Sequence, residues 1–511
     1  MPITVILAHM FNTNNKSNSF VKAVFAAFSI FCFASLGFAL PSTAETNLQA
    51  TPGVSFVTSG PTLSFTAPDR AVLNWNAFGS GANQISAGDA IAYNLPNSNS
   101  SILNVVSGGT ASTIDGHLTS NGNVYILNPN GIVIGANSRF DTKSLVVSTV
   151  DSAFAGQFQY LNTGKLPSQS GTRTASGAIT VNGGSIINAD NIVFLTKDIA
   201  INGSLLNGSL AVYADGAVSV GSANNTVYGV SSIDISNTTG NTVIGAVGGS
   251  VASNASILVS TVSGNVSNSV GATVSARSIA INSQSGDINV SGVNGLNVSI
   301  SAKNASIAFG SAPTTNLSAD VSGTLVANSQ NAIVLENLKN SFGTTTVTSA
   351  GKITLGNVHI DSSAQSSFTG SSIVDLYDNV FVYGPTAFTS IVGDISLLKS
   401  GHSFGPLSFN SAGNAVIYEN AAMNLNAARA KNITLKTNEF FFQTPTSASI
   451  NAEKFNLTAN GTVGFYTATI SNGLTVDSSA DVDLSRLSLA TSLNNTTPTV
   501  TAKGSITPPA P

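Results

Sequence analysis

The side chains with the most obvious chemical potential are three close pairs of ionisable residues: Asp375 with Asp378, Asp481 with Asp483, and His359 with Asp361. Paired carboxylates serve as general acid and base, or hold Ca²⁺, when a basic partner or further oxygen ligands accompany them. Neither a basic partner nor a recurring acidic position is evident from the spacing of these pairs. The sequence therefore predicts no catalytic residue, no metal site and no cofactor site, and a protein that is not an enzyme.

The composition is poor in charge and rich in hydroxyl and amide side chains. Only 8% of the 511 residues are charged and the net charge is −4, whereas about 25% of an ordinary soluble protein is charged. The hydrophobic fraction of 42% is too high for a solvated disordered chain. Because no basic surface is available to neutralise phosphates, a nucleic-acid partner is excluded.

Short alternating runs must form most of the scaffold. From about residue 175, runs of three to six residues alternate apolar side chains with Ser, Thr or Asn and end at Gly, Asn or Ser, as at residues 178–181, 287–290 and 352–355. Such alternation indicates β-strands with one buried and one wetted face. No stretch of comparable length has a helical period.

The number and shortness of these strands favour a parallel β-helix over sandwiches or a propeller. Asn and Gly suit its tight corners, where left-handed backbone is needed and Asn side chains can stack from coil to coil. With about 20 residues per coil, we expect the β-helix to continue over residues 176–500. A less regular part is expected at about 360–450, and a tail at 501–511.

The first 44 residues have the pattern of a secretory signal peptide. Lys16 and Lys22 precede an apolar run at 23–40, and small residues follow it. Cleavage after Ala44 or after Ala39 satisfies the small-residue rule, and the start is Met1 or Met10; both choices stay open. The alternative is a membrane anchor, since about 18 apolar residues can span a bilayer.

One segment, between about residues 50 and 155, has distinctive motifs. It holds the only tryptophan and, in order, Asn74-Trp75, Leu103-Asn104, Ile114-Asp115-Gly116, Asn128-Pro129-Asn130-Gly131-Ile132 and Leu145-Val146-Val147-Ser148-Thr149. On its own, the Asn-Pro-Asn-Gly motif is an ordinary hairpin signal: the proline presets φ, the glycine supplies a positive φ, and the asparagines bond backbone groups.

This order of motifs resembles the secretion domain (the haemagglutination activity domain) of the filamentous haemagglutinin and high-molecular-weight adhesin family, the exoproteins of two-partner secretion systems. Val105 stands where relatives often carry Arg, and the second Asn-Pro motif of some haemagglutinins is absent, so the adhesin branch is the nearer one. The resemblance implies an all-β, right-handed, single-stranded parallel β-helix with a capped N-terminal end and hairpins outside the helix. The secretion domain is expected to span 45–175.

The resemblance also implies roles for individual residues. The secretion motif is Asn128, Pro129, Asn130, Gly131 and Ile132. The anchors of the secretion domain are Asn74, Trp75, Leu103, Asn104, Ile114 and Gly116. We interpret the turn as structural, so that a transporter recognises the conformation that it creates, and Trp75 as a core or cap anchor.

The function that follows is that of a secreted or surface-attached exoprotein, an adhesin or haemagglutinin, of a Gram-negative bacterium. Its partner is an outer-membrane β-barrel transporter with periplasmic POTRA domains, which exports it through the periplasm; host-cell glycans or proteins are further candidate partners. Two alternatives remain: a secreted polysaccharide lyase or hydrolase, since right-handed β-helices also host such enzymes, and a structural surface component without adhesive activity.

Overall fold

The computed structural model describes residues 40–150 and 176–508, apart from gaps at 223, 249–254, 270, 291, 305, 310–318, 341–342, 378, 443–449, 466–467 and 486–497. Most of the predicted signal peptide, residues 1–39, lies outside the described residues. Those that are described form β-strands and no helix, and hence contain no apolar helix of membrane-spanning length.

The strands before residue 150 are β1 (Leu48–Ala50), β2 (Ser55–Ser59), β3 (Thr62–Thr66), β4 (Ala71–Trp75), β5 (Ala90–Asn94), β6 (Ser101–Val106), β7 (Ser112–Ile114), β8 (His117–Ser120), β9 (Asn123–Leu127), β10 (Ile132–Ile134), β11 (Arg139–Asp141) and β12 (Ser144–Ser148). Those from residue 178 to 349 are β13 (Ala178–Val181), β14 (Ile186–Thr196), β15 (Asp198–Ile201), β16 (Leu205–Ala214), β17 (Val218–Val220), β18 (Val227–Asn237), β19 (Thr242–Ile244), β20 (Val247–Gly248), β21 (Ser256–Thr261), β22 (Val266–Asn268), β23 (Val274–Ser283), β24 (Ile288–Val290), β25 (Val293–Ala302), β26 (Ile307–Phe309), β27 (Ala319–Val321), β28 (Leu325–Ser329), β29 (Ile333–Glu336), β30 (Leu338–Asn340) and β31 (Thr345–Ser349). The remaining strands are β32 (Lys352–Gly356), β33 (Val358–Ile360), β34 (Ser366–Gly370), β35 (Ser372–Asp375), β36 (Val380–Val382), β37 (Thr386–Ser390), β38 (Ile395–Leu397), β39 (Ser403–Phe404), β40 (Leu407–Ser411), β41 (Ala415–Tyr418), β42 (Ala422–Arg429), β43 (Asn432–Thr437), β44 (Glu439–Phe442), β45 (Ile450–Ala459), β46 (Val463–Gly464), β47 (Ala468–Ser478), β48 (Val482–Asp483), β49 (Thr499–Ala502) and β50 (Ile506–Thr507).

The strands wind as coils, because each one pairs in parallel with the strands one coil before and one coil after it. For example, β13 pairs with β10 and β15, and β32 pairs with β29 and β35. The register places Ile179 beside Ile199 and Ile353 beside Ile373, so a coil takes 20 residues at both places. About 15 coils follow one another in this way. The predicted all-β parallel β-helix is confirmed.

The interior of the β-helix is a continuous column of apolar side chains. Along β31 buried and exposed residues alternate, as the period of two predicts. The inward side chains of successive coils, such as Ile179, Ile199 and Val218, stack on one another and are almost fully buried. Each such side chain contributes about 1.5–3 kcal/mol. Because each coil contacts mainly its two neighbours, stability accumulates coil by coil.

Asparagines at one corner adopt the left-handed backbone that the sequence predicts there. Asn337 and Asn357 both have φ of 50°, and the Asn357 side-chain amide donates to Asn337 Oδ1 at 3.1 Å. The predicted stacking of asparagines from coil to coil is therefore confirmed at this corner. Each asparagine tolerates the backbone of a tight turn and bonds to its counterpart on the next coil.

A second corner corrects the inference that no acidic position recurs. At the first residue of β15, and directly before β24 and β38, an aspartate Oδ1 accepts a hydrogen bond from a backbone N–H of the following coil: Asp198 from Ala217 (2.6 Å), Asp287 from Ser306 (2.9 Å) and Asp394 from Asn414 (2.7 Å). The recurrence is invisible in the sequence because the number of residues per coil varies. These carboxylates join successive coils by hydrogen bonds, and these bonds account for their recurrence without a bound cation.

Strand pairing continues through the stretch in which the sequence predicts a less regular part. There β34 pairs with β37, and β37 pairs with β40, in parallel register; residues 443–449 lie outside the described residues. Within the predicted tail, β50 and the end of β49 pair with β48 and β47. The last described coil thus reaches Thr507.

The N-terminal end of the helix is closed by the antiparallel strands of the molecule. β1 runs antiparallel to β4, with Leu48 beside Trp75, and β2 forms a hairpin with β3. The other edges of β3 and β4 pair in parallel with β5 and β6, the first strands of the helix. The two antiparallel strands therefore cover the strand edges with which the β-helix begins, and the outer edge of β2 becomes a terminal edge on this side.

Candidate functional site

The predicted anchors Trp75 and Asn104 meet inside the first coils. Trp75 is fully buried, and its indole Nε1–H donates to Asn104 Oδ1 at 3.1 Å. The Tyr93 hydroxyl donates to the same oxygen at 2.8 Å, and Asn104 Nδ2 donates to the Tyr125 carbonyl at 3.3 Å. Asn104 thus joins three strands, β4, β5 and β9, to its own strand β6. Burial raises the pKa of the Tyr93 phenol, which stays a donor at all physiological pH values.

Aromatic rings surround this polar hub. Trp75 packs edge-on against Phe65 with ring centroids 6.0 Å apart, and against Phe78 at 5.0 Å. Phe65 also stacks on Tyr93 at 5.6 Å. Such pairs add about 0.5–1.5 kcal/mol each beyond their buried area. The arrangement places Trp75 in the core, which agrees with its interpretation as an anchor.

The anchors Asn74 and Leu103 lie in the same sheet but do not take part in the contacts around Trp75. Leu103 is buried in a small apolar cluster with Val72, Val105, Tyr125 and Leu127, separate from the main core. Strand β6 is therefore buried along its whole length, on both faces. Asn74 is half-buried and lies beside Val105 in the register of β4 and β6.

The Asn-Pro-Asn-Gly motif forms a β-turn but not a hairpin. Gly131 N–H donates to Asn128 O at 3.2 Å, whereas the flanking strands β9 and β10 pair with different partners, β6 and β12 for one and β7 and β13 for the other. The turn is thus a corner between two faces of the helix. A hairpin signal and a coil corner have the same local sequence, and only the next coils distinguish them.

Asn128 is the fully buried centre of this corner. Its Nδ2 donates to Ser112 Oγ at 2.8 Å and to Thr110 O at 3.0 Å, while its Oδ1 accepts from the Asn130 backbone at 3.0 Å. Its own backbone N–H donates to Ser148 O at 2.9 Å. Two separate motifs of the sequence, the turn and the Leu-Val-Val-Ser-Thr segment, are joined by this last bond.

The rest of the motif faces the neighbouring coils. Asn130 Nδ2 donates to Gly108 O at 2.6 Å, and Pro129 O accepts from Ser176 Oγ at 2.9 Å. Gly131 has φ of 117°, a conformation that disfavours side chains, and a Cβ on Gly177 would lie 2.5 Å from the Gly131 nitrogen. The turn therefore needs glycines in two coils.

Ile114, Gly116 and Ile132 also have positions that explain their residue types. Ile114 and Ile132 are buried core residues of β7 and β10. A Cβ on Gly116 would lie 2.5 Å from Asp89 O and 2.7 Å from Ser86 O, so only glycine fits beside these carbonyls. All eleven predicted residues thus lie in strands or corners of the capped end and the first coils. Their role in secretion stays a prediction.

The three pairs of ionisable residues, Asp375 with Asp378, Asp481 with Asp483, and His359 with Asp361, are not brought together into one site in the described part of the chain. His359 and Asp361 form an exposed pair, 2.7 Å apart. Asp481 accepts from the backbone and hydroxyl of Ser505, which lowers its pKa. Asp378 lies outside the described residues. No group of His, Cys, Asp or Glu in the described ranges is arranged to hold a metal ion.

Asp375, by contrast, has a basic partner that the sequence analysis missed. His402 Nε2 donates to Asp375 Oδ2 at 2.9 Å, and both side chains are buried. His402 Nδ1 accepts from the Val380 N–H at 3.3 Å. In the next coil Glu419 accepts from the Phe404 N–H at 2.7 Å, and burial raises its pKa to about 8. One coil of chain separates Asp375 from His402, so their proximity has no local signal.

These features define a parallel β-helix protein whose capped end bears the motifs of an export domain. The model of the TPS secretion domain matches residues 66–355. The chain belongs to this family, which consists of the exoproteins of two-partner secretion.

Two relatives and one solved structure are similar to this chain. It is 30% identical over 169 residues (32% of this chain, 17% of the relative) to a heme/hemopexin-binding protein of Haemophilus influenzae strain Rd, and 35% identical over 83 residues (16% and 8%) to another of that species. The crystal structure of the HMW1 secretion domain of Haemophilus influenzae aligns with 80% of this chain and 99% of its own, with 15% identity and a TM-score of 0.26. The chain thus spans less than a fifth of the matched relatives.

Proposed function

We propose that this protein is exported through the periplasm and across the outer membrane by a cognate POTRA-containing β-barrel transporter, and that it acts outside the cell as an adhesin. The observation that carries the export proposal is the family match over residues 66–355. The motif residues around Trp75 and Asn128 form the conformation that the transporter would recognise.

The capped end has a strand that suits such recognition. Every residue of β2 is exposed, and among the described residues this strand pairs with β3 alone. Its outer edge therefore presents backbone donors and acceptors to a further strand, and Phe56 and Val57 are exposed on it. POTRA domains contain sheets to which an extended segment can add by β-augmentation.

The architecture also suits folding after export. The sole cysteine, Cys32, lies in the predicted signal, so the mature chain can cross a membrane without disulfides. Each coil then pairs with the one before it, as Ile199 does with Ile179 and Val218. Folding that proceeds in this order, from the capped end, would draw the chain outward.

One stretch of the chain that is rich in exposed apolar side chains supports adhesive contacts. Seven of the fourteen exposed large hydrophobic residues of the described chain lie within residues 376–398: Leu376, Tyr377, Phe381, Tyr383, Ile391, Val392 and Leu398. They lie in or directly after four consecutive strands, β35 to β38, so this part of the β-helix offers apolar contacts at several of its corners. Elsewhere on the described surface such residues are more widely spaced among polar side chains, which suits weak multivalent contacts.

Co-expression tests the export proposal. We expect the full chain in the medium or on the cell surface only when the transporter is present. Asn128→Ala and Asn130→Ala should reduce export at least tenfold, because each removes bonds that hold the corner together. Asn99→Ala, an exposed asparagine in the same region, is the matched control. Release without a transporter, or normal export of both turn variants, would contradict the proposal.

Haemagglutination tests the adhesive part. The double variant Tyr383→Ser with Val392→Ser should lower the haemagglutination titre severalfold, whereas Tyr228→Ser with Leu258→Ser, exposed residues elsewhere on the rod, should not. If neither variant nor wild type agglutinates cells, a structural surface role replaces adhesion. Unsaturated products from pectin-like polymers with Ca²⁺ would instead favour the lyase alternative.

Heme or hemopexin binding is a second candidate, favoured by the names of the two relatives. The matched regions are a small part of those proteins, so the binding named there is for this chain a proposal only. Titration of the purified chain with heme, followed by the Soret absorbance, tests it directly. A saturable Soret shift at micromolar heme would support the candidate, and no shift would remove it.

A further inference from the structure

Residues 40–44, which follow the apolar run of the predicted signal peptide, belong to the folded N-terminal end. Leu40 packs against the main apolar core, and Pro41 is buried. The Ser42 N–H donates to Asn83 Oδ1 at 2.7 Å, and Ser42 O accepts from Asn47 Nδ2, also at 2.7 Å. These contacts tie the segment to the loop that follows the Trp75 strand.

The carbonyl of Ala44 is a hydrogen-bond acceptor for the chain that follows it. It accepts hydrogen bonds from the backbone N–H groups of Asn47 at 2.8 Å and Leu48 at 2.9 Å. Asn47 and Leu48 are 8% and 5% exposed. Asn47 also accepts from the Ala77 N–H at 2.9 Å, so a chain that starts at Glu45 would disturb the contacts next to the aromatic anchors.

We infer that signal peptidase cuts the bond between Ala39 and Leu40, and not the bond after Ala44. Gly37 and Ala39 supply the small residues required at the −3 and −1 positions. Hydrolysis adds one water, leaving a carboxylate on Ala39 and an amino group on Leu40. Both bonds satisfy the small-residue rule, and the fold distinguishes them, since only the first keeps residues 40–44 in the mature protein. The inference rests on the proposed export, which requires a signal peptide.

The N-terminal residue of the mature chain is the test. The full chain is expressed in cells without the transporter, the periplasmic fraction is collected, and its N-terminus is determined by mass spectrometry. Leu40 is expected; Glu45, or an unprocessed chain, would overturn the inference. Because processing is measured in the periplasm, a failure of outer-membrane export does not affect this result.

Two matched variants sharpen the test. Ala39→Leu should abolish the Leu40 terminus, since a large residue at −1 blocks cleavage. Ala44→Leu places the same side chain at an exposed position and should leave the Leu40 terminus unchanged. Loss of processing in Ala44→Leu, but not in Ala39→Leu, would assign the cut to the other bond. Purified mature chains that start at Glu45 should also unfold at a lower urea midpoint than those that start at Leu40.

Discussion

The capped end before residue 150 and the coils after residue 178 are both built of short β-strands, but different interactions hold those strands in place. In the capped end, side chains far apart in the chain bond to one another in the interior, as Trp75, Tyr93 and Asn104 do. In the later coils the inward side chains are mostly apolar, the buried pair of Asp375 and His402 being an exception, and polar side chains such as Asn357 bond at the corners to their counterparts one coil away. The first region is unique in sequence, whereas the second is repetitive.

This difference has a physical reason. A repeated coil needs only apolar inward residues and a corner that recurs, because each neighbour supplies the template for the next. The first coil has no preceding neighbour. Its edges must be closed by β1 and β2, and particular side-chain bonds, such as that from the Trp75 indole to Asn104 Oδ1, tie it to the next strand. The family motifs begin at this capped end and continue through the coils that follow it, up to β12.

The comparison predicts that loss of a large aromatic ring has different consequences in the two regions. Trp75→Ala and Phe388→Ala each remove a fully buried ring and should each cost about 4 kcal/mol. We expect export to be lost only in Trp75→Ala, because Phe388 lies far from the recognised end. Urea unfolding and the secreted fraction are the two measurements. Equal secretion of both variants would contradict the prediction that export depends on the capped end.

The second prediction concerns a buried carboxyl in the repetitive region. Burial raises the pKa of Glu419 from its ordinary value of 4.5 to about 8, so the folded chain keeps the proton that the unfolded chain releases. The full stability is therefore present below pH 4.5 and is lost as the pH rises towards 8. Between pH 5 and pH 7 the loss is roughly 2–3 kcal/mol.

Glu419→Gln is the control for this pH dependence. It keeps an acceptor for the Phe404 N–H and removes the titration, so the urea midpoint of the variant should be nearly flat over the same pH range. If wild type and variant have the same pH profile, Glu419 is not the cause. A flat wild-type profile would equally contradict the prediction.

A third prediction compares two asparagines. Asn104→Ala leaves the Trp75 and Tyr93 donors without an acceptor in the interior and should cost about 2 kcal/mol. Asn328→Ala removes an outward amide from the exposed face of β28 and should change the free energy of unfolding by less than about 0.5 kcal/mol. Similar losses of unfolding free energy in the two variants would show that the buried hydrogen bonds of Asn104 add no more stability than an exposed amide.

The smallest effect is expected at a corner. Asn357→Ala forces a side chain without a local bonding partner into φ of 50° and removes the bond to Asn337, at a cost of about 1 kcal/mol. Asn357→Gly keeps the backbone geometry and should lose less. Both variants lack the side-chain bond, so a midpoint for the glycine variant at or below that of the alanine variant would contradict the predicted cost of the positive φ.

Much of this molecule could be predicted from local patterns. Alternating runs such as residues 178–181 and 352–355 are strands, and the Asn and Gly corners are where composition places them. The buried pair of Asp375 and His402 could not be predicted, because the number of residues per coil varies and residues that share a corner have no fixed spacing. The local sequence of the Asn128 turn indicates a hairpin for a related reason: strand pairing depends on the coils above and below.

The amino-acid sequence by itself determined the class of fold, the unusual character of residues 50–155 and the family that they resemble, because period-two alternation and turn chemistry act locally. The tertiary structure alone decided which side chains meet: Asn104 with Trp75 and Tyr93, Asn128 with Ser112, and residues 40–44 with the capped end. Those contacts join positions 11 to 41 residues apart. Their separation depends on how the chain closes each coil, and no local pattern encodes it.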